Sequence, residues 1–428
     1  MNLNKIERYL ACIIFFIIFI TLIFNIYSLN FSYYDLGLFT NSQDIKNIDA
    51  HERYYILYLI NSLFDFNKKN FGIFLIFSQY IVFFLTYLYF YQNAQNKYLS
   101  FFFLINLNFL YVIFFDFHFE FYLLGLILIF IETKKNYIKF LIILIIPFIK
   151  DIYLFISFGM YIFLYFESKI NHKIYFFTFL LSIIFFILNK FEYLSKIYSD
   201  YTFNYKFLLY QFLYFLIILF PFFIFLTKKI LKEKILLIGL PYLIFLFLYN
   251  DPNYFKFYNH YLLPITFILF LALNRLEITH INKKIIIFII AIHLFLSPLI
   301  GFPFSIIFKD NNIYYKNILM INNFNFISDI KNKRNNFAYV QNNFFSPILY
   351  DYFKNVQVLD HEILKKISIG DVIILNENKN LFIGDKKCPK KNNDKTNKIC
   401  NNFKNKITKE LKIIYNFNNI IIYEKYQK

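Results

Sequence analysis

Long apolar runs are the feature that most limits what this chain can fold into. Leu10–Leu29, Gly72–Tyr91 and Phe207–Leu226 each approach the roughly 20 residues that carry a helix across a hydrocarbon layer. Hydrophobic residues make up 59% of the 428 residues, more than one soluble core needs. The sequence therefore predicts a polytopic α-helical membrane protein.

The distribution of charge along the chain predicts a topology. Apolar segments suggest about eleven transmembrane helices in residues 1–302, drawn at 9–29, 72–91, 98–115, 121–133, 137–149, 152–166, 174–189, 207–226, 235–249, 261–274 and 285–302. With a cytoplasmic N-terminus, the inside loops hold most lysines, including Lys134 and Lys228, and the outside loops hold most acids, including Asp200. The positive-inside rule then predicts a multi-pass protein of a bacterial inner membrane, with its C-terminus outside.

The formal charge of +18 does not indicate nucleic-acid binding. The lysines are scattered over loop ends and a tail and form no single basic stripe interleaved with aromatic residues. Attraction to a membrane surface explains them better, so membrane lipids are the predicted partners.

Residues 303–428 have a different character and predict a small extracytoplasmic α/β domain. Polar segments separate short β-type runs at Phe337–Val340, Val356–Leu359, Val372–Leu375 and Ile420–Tyr423. Asn397–Ile413 is predicted as a late helix, and Ile414–Lys425 as a terminal hairpin.

Two cysteines lie close together in this tail. Cys388 and Cys400 can form a disulfide if the domain is outside, or remain two free thiols. A pair with this spacing and no nearby histidine does not fit a zinc finger.

Two acidic turns adjoin segments that are too short to span a bilayer. About 13 residues form a helix of roughly 20 Å, against a hydrocarbon core of about 30 Å. The turn Phe115–Glu120 and the pair Lys150-Asp151 should therefore lie below the outer surface, facing a shared polar cavity.

The first of these turns offers metal ligands. Asp116, His118 and Glu120 share one side of an extended segment, where they can present oxygen and imidazole ligands to a divalent cation such as Mg, Mn or Ca. The alternative is a helix-terminal cluster, in which Asp116 caps the next helix and His118 fills the interface.

The other polar residues each have a functional and a structural interpretation. Lys150 beside Asp151 is either a buried ion pair or a contact for a phosphate. Asp35 is either a helix cap or the base that takes a proton from an acceptor hydroxyl. His51 precedes an amphipathic run that can roof a lipid-substrate cavity, and His260 with Tyr261 enters a helix from the outside.

The same segments resemble a known family. Its pattern is matched, in order, by Tyr34-Asp35-Leu36-Gly37-Leu38-Phe39, Asp49-Ala50-His51, Phe115-Asp116-Phe117-His118-Phe119-Glu120, Lys150-Asp151, Asn259-His260-Tyr261-Leu262-Leu263-Pro264 and Val340-Gln341-Asn342-Asn343. The chain is thereby similar to bacterial membrane proteins classed as domain of unknown function 2079, which resemble the GT-C glycosyltransferases.

That resemblance implies an inverting glycosyltransferase whose sugar donor is linked to a polyprenyl phosphate. Asp35 would be the catalytic base, and the turn with Asp116, His118 and Glu120 would hold a cation or the lipid phosphate. His51, Lys150, Asp151, His260 and Tyr261 would contact the substrate or its phosphate.

Two other functions fit the same residues. A transporter or flippase of a polar or lipid-linked solute would use the buried acids as proton or substrate sites. A non-catalytic membrane scaffold would keep the fold and present its tail domain to other envelope proteins.

Overall fold

The computed structural model describes most of the apolar segments and the core of the C-terminal region. The described residues are 3–28, 68–93, 97–115, 118–167, 205–223, 230–249, 260–276, 336–340, 352–359, 366–376, 409–417 and 420–426, with short pieces within 176–184 and 288–293, and at 349, 382–383, 386–387, 403 and 405–407. Several predicted site residues lie outside them: Asp35, His51, Asp116, Cys388, Cys400 and the side chain of Asp151.

Helices account for most of the described chain up to residue 276. They are α1 (Leu3–Ser28), α2 (Lys68–Asn93), α3 (Lys97–Ile105), α4 (Leu107–Phe115), α5 (Glu120–Glu132), α6 (Asn136–Ile149), α7 (Leu154–Glu167), α8 (Tyr205–Phe223), α9 (Leu236–Tyr249) and α10 (Leu263–Asn274). Short 3₁₀ turns at Asp151–Tyr153, Ile230–Lys232 and His260–Leu262 precede α7, α9 and α10.

The prediction of about eleven transmembrane helices is wrong. Among the residues whose side chains the structure describes, one helix, Lys69–Asn93, is long and apolar enough to cross a membrane by length and composition. Where the structure describes them, most apolar segments do form helices near the drawn positions, but α5, α6, α7 and α9 have only 13 or 14 residues each. Such helices are roughly 20 Å long, and their apolar residues pack against one another.

One drawn span, 98–115, is broken in two by an asparagine. The side-chain Oδ1 of Asn106 accepts a hydrogen bond from the backbone N–H of Asn108 at 3.1 Å. A side chain that bonds to nearby backbone in this way competes with helical hydrogen bonding. Helix α3 therefore ends at Ile105, and α4 begins at Leu107.

Phenylalanine rings fill much of the helical core. Phe103 lies 4.8 Å from Phe90 and 4.5 Å from Phe109, and it meets Phe270 edge-on at 5.3 Å, measured between ring centroids. Tilted and edge-on contacts of this kind are the favoured arrangements of aromatic pairs. The rings join α2, α3, α4 and α10 in one packed unit.

The C-terminal region contains a five-stranded mixed sheet in the order β2-β1-β3-β7-β6. Its strands are β1 (Phe337–Val340), β2 (Asn355–Val358), β3 (Val372–Asn376), β6 (Leu411–Phe417) and β7 (Ile420–Lys425). Strand β1 pairs in parallel with β2 and β3, whereas β7 is antiparallel to both β3 and β6. A separate two-stranded ladder joins β4 (Phe382–Ile383) and β5 (Lys386–Lys387).

An aspartate fixes the start of this sheet. Asp371 accepts hydrogen bonds from the backbone N–H groups of Phe337 at 2.9 Å and Ser368 at 2.8 Å. Its own carbonyl accepts one from the N–H of Lys425. The preceding Gly370 has a φ of 89°, a conformation that glycine adopts without the steric cost of a Cβ.

The predicted β-type runs all form strands, and the terminal hairpin is present. Phe417 pairs with Ile420 at the tight end of that hairpin. The predicted helix at 397–413 extends too far, because Leu411, Lys412 and Ile413 already belong to β6. These residues pair with β7, and that pairing outweighs their local helical pattern and sets their strand conformation.

Helices α7 and α9 approach closely at a glycine, which gives a test of the fold. A Cβ at Gly159 would overlap the backbone carbonyl oxygen of Ile238, whereas a Cβ at Gly125 would lie 3.5 Å from Val82 Cγ1, an ordinary contact. We expect Gly159→Ala to lower the free energy of unfolding by about 1–3 kcal/mol. Gly125→Ala should be neutral or stabilise by up to about 1 kcal/mol through helix propensity. Denaturation followed by circular dichroism compares the two, and equal effects would contradict the close α7–α9 packing.

Candidate functional site

Five predicted residues, His118, Glu120, Lys150, His260 and Tyr261, come together in what we call the Glu120 centre. His118 is 3% exposed, Glu120 1% and Lys150 8%. Three separate segments of the chain supply them, and all three are element ends. A carboxylate, an ammonium group and two imidazoles therefore share one largely buried volume.

The ends of short helices position these side chains. Glu120 is the first residue of α5, and Lys150 follows the last residue of α6 in an extended conformation. Glu120 thus lies at the positive end of the α5 dipole, and Lys150 lies at the negative end of the α6 dipole. His260 opens the 3₁₀ turn that leads into α10.

Lys150 is the hub of the polar contacts. Its Nζ donates to Glu120 Oε1 at 2.9 Å and lies 3.3 Å from His260 Nε2. An ammonium group has only donors, so His260 Nε2 must be the acceptor, and the imidazole proton is on Nδ1. The contact assigns both the protonation state and the tautomer of His260.

Electrostatics favour the same neutral form of His260. Burial is the largest cause that lowers the pKa of His260 well below its ordinary value, and the nearby His118 and Lys150 lower it further. The separation of 3.7 Å between His260 Nε2 and Glu120 Oε1 is therefore not a contact between opposite charges. Lys150 is the cation that balances Glu120 here.

The two histidine rings stack. Their centroids are 4.1 Å apart with an interplanar angle of 27°, and the backbone N–H of His118 donates to Gln79 Oε1 on α2 at 3.0 Å. Gln79 itself is fully buried. Helix α2 thus holds one wall of the centre through a polar side chain in an otherwise apolar run.

Tyrosines form the other wall. Lys150 Nζ lies 4.4 Å from the centroid of the Tyr261 ring and 6.0 Å from that of Tyr153, within the range of cation–π attraction. The hydroxyl of Tyr242 donates to the carbonyl of Tyr261 at 3.1 Å. Burial, followed by the charge of Glu120, raises the pKa of Tyr153 well above its ordinary value, so this phenol stays neutral.

Three residues have the donor atoms for a metal ion. One ligand atom each from His118, Glu120 and His260 lie within 4.8 Å of one another. Two imidazoles and one carboxylate suit zinc or iron better than the magnesium or calcium type of ion that the sequence indicated. In this structure the ammonium group of Lys150 contacts two of the three residues, so a metal ion would have to displace it.

The possible metal ligands in the structure are not the same three residues that the sequence predicted. The sequence indicated a metal set of Asp116, His118 and Glu120 within one turn, whereas the structure joins His118 and Glu120 to His260 from a distant segment. Sequence reasoning did not single out Gln79, Tyr153 or Tyr242. Gln79 had a signal, because it is an isolated amide within the apolar run Gly72–Tyr91.

Breaking the central ion pair should destabilise the protein strongly. Glu120→Gln or Lys150→Met leaves an uncompensated buried charge, which costs about 3–5 kcal/mol of unfolding free energy. The double variant removes both charges and should be more stable than either single variant. Glu167→Gln is the control, because Glu167 pairs with Arg275 at 3.6 Å near the surface and should cost less than about 1 kcal/mol. Thermal unfolding measures all four, and additive losses in the double variant would contradict the coupling.

Acid should destabilise the fold through two histidines that are buried in neutral form. Burial lowers the pKa of His293 to about 4, and His260 shifts in the same direction. Below about pH 6.5 the unfolded chain therefore binds more protons, and the free energy of unfolding falls by up to about 1.4 kcal/mol per pH unit for each histidine. We expect His260→Gln and His293→Gln each to flatten the decline in Tm between about pH 6.5 and 5. An unchanged slope in His260→Gln would show that His260 is not held neutral.

Comparisons with protein-family models, with curated proteins and with solved structures gave no match to this chain.

Proposed function

We propose that this chain is a membrane-associated glycosyltransferase, and that the Glu120 centre receives the phosphate of a polyprenyl-phosphate-linked sugar donor. The observation that carries the proposal is the convergence of Lys150, His118 and His260 on one buried carboxylate. Ammonium and imidazole N–H groups are the donors that bind phosphate oxygens in proteins.

Lys150 is suited to the leaving group. Its Nζ is held by a single carboxylate oxygen at 2.9 Å and by an imidazole nitrogen at 3.3 Å. A phosphate oxygen that approached it would meet a cation already removed from bulk water, where electrostatic stabilisation is strong. Glu120 positions Lys150, and the Tyr261 ring at 4.4 Å limits its movement.

The proposed reaction uses these charges in one displacement. The oxygen of an acceptor hydroxyl attacks the anomeric carbon, and the bond from that carbon to the phosphate oxygen breaks. The hydroxyl proton passes to a carboxylate, for which Asp35 is the candidate, and the electron pair leaves on the polyprenyl phosphate. Lys150 stabilises the negative charge of that phosphate.

Exposed apolar side chains support the proposal that the protein acts at a lipid surface. Leu209 on α8 is 60% exposed, Phe166 on α7 56% and Leu248 on α9 61%. Large exposed apolar surfaces are uncommon on soluble monomers and mark contacts with membranes or other proteins. A lipid-linked donor would be reached from such a surface.

A transfer assay tests the proposal. The purified full chain in lipid vesicles is supplied with polyprenyl-phosphate-linked sugars, and released polyprenyl phosphate is measured with and without a metal chelator. We expect Lys150→Met to lower the rate by about 10²–10³-fold, the usual effect of losing one charge-stabilising donor. Lys139→Met is the matched control: it removes a lysine of α6 that lies 5.7 Å from the Phe130 ring, outside the centre.

Further variants separate chemistry from folding. Glu120→Gln/Lys150→Met keeps the centre neutral, so a folded double variant without turnover shows that the charges act in the reaction. Asp35→Asn should also abolish turnover. Wild-type rates in Lys150→Met, or no turnover by folded wild-type protein over a broad donor panel, would overturn the proposal. Loss of turnover with the chelator would instead assign the phosphate to a metal ion held by His118, Glu120 and His260.

A further inference from the structure

A groove between α1 and α2 forms a second candidate binding site. It encloses about 520 Å³, within the range of ligand-binding cavities, and its walls include Arg8, Cys12, Phe16, Phe19, Phe84 and Tyr91. We call it the α1–α2 groove. None of its lining residues contacts Glu120 or Lys150, and the groove has no part in the proposed reaction.

The walls of the groove are apolar and firmly built. The ring of Phe15 packs against Phe84 at 4.9 Å and Tyr87 at 5.3 Å between centroids. The hydroxyl of Tyr80 donates to the backbone carbonyl of Phe15 at 3.1 Å, which ties α2 to α1. The shape of the groove is thus set by contacts between the two helices.

The groove also has an open apolar side. Phe16 is 63% exposed, Phe19 39% and Phe84 36%. Covering these rings with an apolar ligand is favourable, by about 25 cal/mol per Å² of apolar area removed from water.

One end of the groove carries a positive charge. Arg8 Nε donates to the hydroxyl of Tyr91, and the guanidinium carbon lies 5.7 Å from the centroid of that ring. Among the residues that the structure describes, no acceptor contacts the two Nη atoms of Arg8. The planar set of N–H donors of a guanidinium held in this way matches the oxygens of a phosphate.

We propose that the α1–α2 groove binds one acyl chain of an anionic phospholipid, whose phosphate contacts Arg8. From Arg8 to Phe19 the helix rises about 16 Å, at about 1.5 Å per residue. That length is close to the hydrocarbon depth of one leaflet, half of about 30 Å. A lipid with its phosphate on Arg8 would therefore have its chain alongside Phe16 and Phe19.

An acyl chain fits this groove better than a polypeptide does. A bound peptide would bring N–H and C=O groups into apolar walls made of helices, whose own backbone groups are already hydrogen-bonded. A helix from another copy is about 10 Å wide, too broad to enter a groove between two helices that touch. A hydrocarbon chain has no polar group to satisfy.

The absence of tryptophan from the sequence provides a direct test. Phe16→Trp introduces one tryptophan in the groove, which can be excited selectively over the 38 tyrosines, and Leu248→Trp introduces one on α9 at a similarly exposed position, 61% against 63%. Each full-length variant is reconstituted in vesicles of unlabelled phosphatidylcholine that contain a small fraction of brominated lipid, either phosphatidylglycerol or phosphatidylcholine. Bromine quenches the fluorescence of a tryptophan that touches the labelled acyl chain.

We expect Trp at position 16 to prefer the anionic lipid about fivefold, the equilibrium equivalent of one basic side chain near a lipid surface. Trp at position 248 should show no preference. Adding Arg8→Gln to Phe16→Trp should remove the preference, whereas Arg8→Lys should retain it.

The proposal fails in either of two cases. Equal quenching by both brominated lipids at position 16 would show general immersion in lipid without a headgroup site. No quenching at position 16, with normal quenching at position 248, would show that another segment or a second copy covers the groove. Both outcomes are independent of turnover, so they leave the proposed glycosyltransferase function untouched.

Discussion

The ion pair between Glu120 and Lys150 holds the Glu120 centre together. Removing both charges from water costs several kcal/mol per ion, and only close contact with further polar partners offsets that cost. Lys150 Nζ lies 2.9 Å from Glu120 Oε1, 3.3 Å from His260 Nε2 and 4.4 Å from the centroid of the Tyr261 ring, so these partners are present. The pair joins the start of α5 to the end of α6, and His260 extends it to the start of α10.

Short helices make that junction possible. If α5 and α6 each had the 20 residues of a spanning helix, their ends would lie at a wet surface, where a lysine and a glutamate attract each other only weakly. With 13 and 14 residues, α5 begins and α6 ends within the packed interior, while their other ends, around Lys135, reach the surface. The same shortness that contradicts the eleven-span architecture thus brings charged groups into a buried centre.

Helix α2 serves both proposed sites from adjacent residues. Gln79 bonds to the backbone of His118 in the Glu120 centre, and Tyr80 bonds to the backbone of Phe15 beside the groove. Consecutive residues point about 100° apart around a helix, so these two side chains reach different neighbours. A lipid in the α1–α2 groove would support the helix that carries Gln79 without touching the reacting groups.

The sequence by itself determined where most of the described helices and strands form, and which polar residues are candidates for a functional site. Apolar runs and β-branched runs set local conformation, so α5 to α7 and β1 to β3 begin and end close to their predicted positions. It also selected His118, Glu120, Lys150, His260 and Tyr261. Only the tertiary structure decided that these five meet, that Gln79 and the tyrosines enclose them, and that Lys150 pairs with Glu120, a predicted metal ligand. Composition could not decide these points, because an apolar helix looks the same whether lipid or another helix covers it, and because contacts between distant segments leave no local pattern.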